Sequence, residues 1–199
     1  MATDPPPRRR APRVDARRNR DKLVEAARAV FAAADGPVPL ETVARAAGVG
    51  IGTLYRNFPT REALVEAVYA AELDALTDGV DALLDEYPPD VALRTWAGRY
   101  ATFFAAKRGM ADTLRAGWAS GRIATPDTRE RITAVLARIL ARGAADGVLR
   151  DDVEPYDVTA MLLGVFLSTA ATGTPEQVDR LLDLLVHALR TVAPTATRR

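Results

Sequence analysis

Residues Gly48 to Glu62 read GVGIGTLYRNFPTRE, and the purpose of the three glycines decides the fold. Glycines at this spacing can cradle phosphate when they follow a β-strand directly, because the backbone must then turn tightly and point its N–H groups at the anion. Here the preceding residues, Leu40 to Ala47, place Val43, Ala44 and Ala47 on one side, which is a short amphipathic helix. No Gly-Lys-Ser/Thr follows. A nucleotide loop does not fit that context.

A helix-turn-helix accounts for the same residues. The spacing predicts a helix from Leu40 to Ala47 with Glu41 in its first turn, a turn opened by Gly48, and a second helix from Ile51 to Phe58 ended by Pro59. Ala44 is small where the second helix crosses, Gly48 suits a left-handed turn, and Val49 and Leu54 fill the angle. The outer face of the second helix then holds Gly50, Gly52, Thr53, Tyr55, Arg56 and Asn57, free to meet a major groove. Gly50 and Gly52 would also let the helix start approach a phosphate closely. Thr60 is placed to cap a further helix with Glu62 and Glu66 near its start.

Upstream, Leu23, Ala26, Ala27, Val30 and Phe31 recur at helical spacing, predicting a helix over 16–34 that Asp35-Gly36-Pro37 stops. The leading PPPRRRAPR has no apolar periodicity and reads as a disordered basic arm over 1–15. Charge divides along the chain: residues 1–61 carry twelve basic against six acidic groups, and the remainder 15 against 20. A basic front on an acidic body points to a polyanion partner for the front.

Composition removes other classes. The chain has 199 residues, 48% hydrophobic and 27% charged, enough to bury a core, with no apolar run long enough to span a membrane and no secretory leader, so the cytoplasm is expected. With no cysteine and the single histidine His187, thiol chemistry, disulfides and multi-histidine metal sites are excluded, and no cofactor or enzyme activity is expected. The rival readings are an all-helical enzyme using carboxylates and a helical protein-binding module. Neither explains the polar outer face and the basic front, and salt-dependent duplex binding separates both from a DNA-binding protein.

Beyond Thr60 the pattern is helical throughout. Segments over 61–86, 90–106, 109–120, 126–146, 155–171 and 175–192 are separated by Gly or Pro, as at Pro88-Pro89, Gly121, Gly147 and Gly173. The expectation is an all-α protein of about nine helices. Trp96, Tyr100, Phe103, Phe104, Met110 and Trp118 gather in the middle helices and are candidates to line a ligand pocket, though such spacing is usually core.

The span from Arg18 to Tyr69, with AARAVFAAADG and VPLETVARAAGVGIGTLYRNFPTREALVEAVY, resembles the N-terminal DNA-binding domain of the TetR family of bacterial transcriptional regulators. The resemblance implies a homodimeric, ligand-responsive regulator, usually a repressor, that binds a palindromic operator. It implies a helix-turn-helix DNA-binding domain over 16–61 and a larger ligand-binding and dimerisation domain over 62–199. Within it Thr53 and Tyr55 would touch phosphates, and Thr42 and Arg45 would meet phosphate or the groove edge. Arg61 stands where the family commonly has a phosphate-gripping lysine. Arg56 and Asn57 are the candidates for reading guanine and adenine edges. Gly50 departs from a frequent Ser and Asn57 from a frequent His or Tyr. The last two helices would pair with their two-fold mates through Leu162, Phe166, Leu182, Leu185 and Leu189. A small molecule would shift the dimer to a state in which the helix starting at Arg61 tilts and the recognition helices leave the operator spacing.

Overall fold

The structure, a computed structural model, describes residues 12–34, 38–121 and 127–191. Among these the helices are α1 Pro12–Ala32, α2 Leu40–Ala46, α3 Ile51–Asn57, α4 Arg61–Thr77, α5 Val80–Glu86, α6 Pro89–Ala106, a 3-10 turn Lys107–Met110, α7 Ala111–Ala119, α8 Thr128–Ala145, α9 Pro155–Thr169 and α10 Pro175–Leu189. No described helix is long and apolar enough to cross a membrane. The basic arm expected over 1–15 lies outside the described residues as far as Ala11, and from Pro12 the chain is helical. The Asp35-Gly36-Pro37 stop also lies outside them.

Where one helix was expected over 61–86, there are two. Asp78 closes the last turn of α4 on Asp74, and Gly79 then takes φ +77, the left-handed conformation that ends a helix and that glycine adopts without a Cβ clash. The apolar pattern runs across this break, which is why periodicity alone hides it.

The chain forms two compact units, Met1–Ala71 with Ala106–Ala124, and Glu72–Ala105 with Thr125–Arg199. The unit that holds the helix-turn-helix thus extends past residue 61 and takes in the 3-10 turn and α7. Its core joins Leu23, Ala27 and Phe31 of α1, Val43 and Ala44 of α2, Leu54 of α3, and Leu64, Val65 and Val68 of α4. Truncating any of these leucines to alanine would cost about 2–5 kcal/mol. Thr60 caps α4, its hydroxyl accepting from the Ala63 N–H at 3.2 Å.

In the second unit α8 packs on α9 and on α5, and α9 packs on α10. Ile132, Leu136 and Ile139 of α8, Val158 and Leu162 of α9 and Leu182 of α10 are sealed from solvent. Trp96 of α6 is also core, its indole N–H satisfied by the Leu76 carbonyl at 3.0 Å. Arg131 pairs with Asp74 at 2.8 Å, Arg138 with Asp81, and Arg190 with Asp90 at 2.7 Å. At the end of α10, Leu149 and Arg190 form an isolated antiparallel bridge.

Candidate nucleic-acid interface

The turn between α2 and α3 closes through its own backbone. Val49 N–H reaches the Ala44 carbonyl at 3.0 Å and Gly48 N–H the Arg45 carbonyl at 3.1 Å, while Gly48 takes φ +67. Gly50 caps α3 with its carbonyl, which accepts from Thr53 at 2.8 Å. Leu54 and Phe58 face inward, and the Arg20 guanidinium of α1 lies 4.4 Å above the Phe58 ring, holding the end of α3 against α1.

The outer face of α3 is open. Gly50 and Gly52 are exposed, Tyr55 is 47% exposed, and Ile51, one turn before Tyr55 on the same side, is exposed as well. Neither Gly50, with φ −71, nor helical Gly52 has the positive φ that requires glycine, and a Cβ added at either would meet nothing within 4 Å. Gly50 stands at the N-cap of α3, where glycine is among the favoured residues, so the smallness that answers no need inside this chain is that of Gly52. Thr42 and Arg45 are exposed one turn apart on α2.

The two base-reading candidates are placed differently. Arg56 is exposed, with one guanidinium nitrogen donating to the Thr53 hydroxyl at 2.9 Å. Asn57 is half-buried, and its amide nitrogen donates back to the Thr53 carbonyl at 2.8 Å, so part of its recognition capacity is used on its own helix.

Arg61, the candidate for gripping a phosphate, is engaged within its own unit. It is half-buried, donates to the Val38 carbonyl and to the Thr113 hydroxyl at 3.3 Å, and lies 5.6 Å from the Phe31 ring centroid. It is a strut joining the lead-in to α2, the start of α4 and α7. Thr113 stands 52 residues away in the chain, and no local pattern could have revealed the pair.

The pocket candidates separate. Tyr100 stacks between Trp96, at 5.5 Å, and Phe103, at 6.2 Å, and meets Phe166 edge-on at 5.0 Å; Phe104 lies 5.5 Å from Phe166. Trp96, Tyr100 and Phe103 are buried in this packing, whereas Met110 and Trp118 belong to the first unit. Trp118 packs edge-on against Tyr69 at 5.7 Å. None of the six lines the cavity of about 610 Å³ between α6 and α10, whose walls include Arg94, Thr95, Arg180 and His187. Arg94 there is held by Asp179 and Asp183.

The expected dimer residues Leu162, Phe166, Leu182, Leu185 and Leu189 are all buried within their own unit, where the core claims them. The large aliphatic side chains left open on the same two helices are Met161, Leu167 and Leu184, at 51%, 60% and 65% exposure, with Tyr156 of α9 open as well.

A short helix crossing a second one through a glycine turn, with a polar, glycine-bearing outer face, defines a helix-turn-helix nucleic-acid-binding module. Comparison with known proteins agrees. Residues 23–68 match the model of bacterial regulatory proteins of the tetR family, and residues 88–191 match the C-terminal domain of SbtR-like transcriptional regulators. The TetR transcriptional regulator SCO0520 from Streptomyces coelicolor is 46% identical and superposes with a TM-score of 0.77, over 87% of this chain and 99% of that one. A TetR regulatory protein from Mycobacterium vanbaalenii is 31% identical with a TM-score of 0.70, over 90% and 99%. The HTH-type transcriptional regulator AlkX of Mycobacterium tuberculosis is 32% identical over 142 residues, 70% of this chain, and the match spans 65% of that regulator's length. The chain belongs to the TetR family of bacterial transcriptional regulators.

Proposed function

We propose that this chain is a cytoplasmic repressor that binds a palindromic operator as a homodimer and responds to a small molecule. Each copy sets α3 into a major groove, the two recognition helices lying roughly 34 Å apart on successive turns of the duplex. Arg56 reads a base edge, Tyr55, Thr53, Thr42 and Arg45 hold phosphates or the groove edge, and Asn57 contributes to reading if its amide is released from the Thr53 carbonyl. Arg61 supports the module from behind. The observation that carries this reading is Gly52, exposed inside α3 where neither backbone conformation nor packing asks for glycine, beside exposed Gly50, Tyr55 and Arg56. Close approach of a backbone from outside is the remaining use for such bare positions.

The dimer forms through the outward faces of α9 and α10, around Met161, Leu167 and Leu184, since Leu162 and its inward neighbours are already covered. An effector acts only to the extent that it prefers the dimer state that fits the operator less well.

Selection of bound duplexes from a random pool tests the proposal, run with the native protein and with Arg56→Ala. Recovery of an inverted repeat, with altered preference at one position of each half-site in the variant, is the expected result. Failure of a folded dimer to enrich any motif, or an unchanged motif for the variant, overturns the base-reading role.

A further inference from the structure

Of the large apolar side chains exposed among the described residues, only Ile51 and Tyr55 belong to the first unit; the others, from Tyr87 to Leu184, lie in the second. Both stand on the outer face of α3, one helical turn apart, at 38% and 47% exposure. A single exposed apolar residue needs no explanation, but two side by side on the face that meets a duplex call for one.

Ile51 is further set apart by its neighbours. Gly50 and Gly52 flank it, both exposed, and a Cβ added at either would meet nothing within 4 Å. The isoleucine is therefore the only side chain between Val49 and Thr53, and it projects from bare backbone. The buried contacts of this segment come from Leu54 and Phe58 instead. A β-branched side chain is stiff at χ1, so it forms a helix less readily than alanine or leucine but loses little freedom when a surface docks on it. Isoleucine neither donates nor accepts a hydrogen bond, so phosphates and the polar base edges offer it nothing. The apolar group that the major groove presents is the methyl at C5 of a pyrimidine, which is read by apolar contact. Exposed Thr42, Arg45 and Arg56 on the same two helices suit a polyanion rather than an apolar protein surface.

We propose that Ile51 reads the C5-methyl of a pyrimidine in each operator half-site, with the Tyr55 ring flanking that methyl while its hydroxyl serves a phosphate. This role rests on the reading of α3 as the recognition helix and adds a base identity to it. Arg56 selects by donating hydrogen bonds, and Ile51 by the presence of one carbon. The half-site therefore holds a 5-methylpyrimidine besides the base that Arg56 contacts. Thymine and 5-methylcytosine both carry the group.

The test starts from the duplex that the native protein enriches from a random pool. Each thymine is replaced in turn by uracil, which deletes the methyl and leaves the pairing edges alone, and affinity is measured for the native protein and for Ile51→Ala. The native protein should lose about fourfold at one position of each half-site, and about 15-fold when both are changed, as expected for one buried methyl each. Ile51→Ala should bind the thymine and uracil duplexes within about twofold of each other, and Ile51→Val, one methylene shorter, should fall between. Thymine and uracil are compared within each protein, so a general weakening of a variant cancels. A second arm puts 5-methylcytosine for cytosine at each position: a gain of about fourfold there, with no position sensitive to uracil, assigns the methyl to methylated cytosine. Equal affinity for all uracil and 5-methylcytosine duplexes overturns the methyl-reading role, as does an equal loss by Ile51→Ala and native protein at the same position. Either result leaves an operator in hand and the regulator reading intact. Enrichment of no motif sinks that reading, and the role of Ile51 with it.

Discussion

Replacing Lys107 by Met should stabilise this protein, by an amount that depends on pH in a defined direction. Burial lowers the ammonium from its ordinary value near 10.5 to about 8, and at about 1.4 kcal/mol per pH unit the native state carries a penalty of about 3 kcal/mol at pH 7. The unfolded chain keeps its proton up to about 10.5, whereas the native chain releases it near 8. Below 8 both states are charged and the whole penalty is felt. Between 8 and 10.5 the unfolded state binds the extra proton, so native stability rises with pH through that window as the penalty is lost. Methionine removes the charge and keeps much of the length, at the loss of the contact between the ammonium and the Tyr69 ring, 5.0 Å from its centroid, worth about 0.5–1 kcal/mol. Lys107→Met should therefore exceed the native protein by about 2–3 kcal/mol at pH 7, and by less than about 1 kcal/mol at pH 10. Urea unfolding of both proteins at pH 7, 8.5 and 10, compared at equal slope, measures the difference and cancels groups that titrate in both. A gap that stays constant across pH, or a native protein that is the more stable at pH 7, would refute burial as the governing effect on this lysine.

Gly52→Ala should stabilise the free protein by about 0.5–1 kcal/mol through helix propensity, since a Cβ there meets nothing, yet weaken operator binding; a variant that gains both stability and affinity would remove the close-approach argument. Gly48→Ala forces a side chain into φ +67 and should cost about 1–2 kcal/mol in thermal unfolding. Arg61→Ala should lower stability as well as DNA affinity, and affinity alone falling, with unchanged unfolding, would return Arg61 to a phosphate-gripping role. Leu184→Asp, at 65% exposure, should leave the fold intact while shifting sedimentation from dimer to monomer, and a persistent dimer would place the interface elsewhere.

What the sequence made legible was local. Helix limits at Pro89, Pro155 and Pro175 follow from residues that restrict their own neighbourhood, and the helix-turn-helix is readable because Ala44, Gly48, Val49 and Leu54 lie within eleven residues of one another. The break at Gly79 was not, because Leu76, Val80 and Leu83 keep helical spacing on both sides of it. Arg61 looked like a surface cation because its partner Thr113 is remote in sequence. Likewise Leu162 and Met161 stand side by side in one apolar run, and only the packing of α9 shows that the first belongs to the core and the second to the outside.

The bridge between Leu149 and Arg190 bears on how such a protein could assemble. Thr174 fixes the start of α10 by accepting from the Gln177 N–H, and at the far end Thr191 N–H reaches the Val148 carbonyl while Arg150 N–H reaches that of Leu189. A helix pinned at both ends cannot roll about its axis, so the compass bearing of Leu184 is set before any second copy arrives. In the proposed dimer, association then resembles the mating of two machined faces rather than mutual accommodation, and substitutions in the short stretch 147–150 should disturb pairing between copies although they touch no partner.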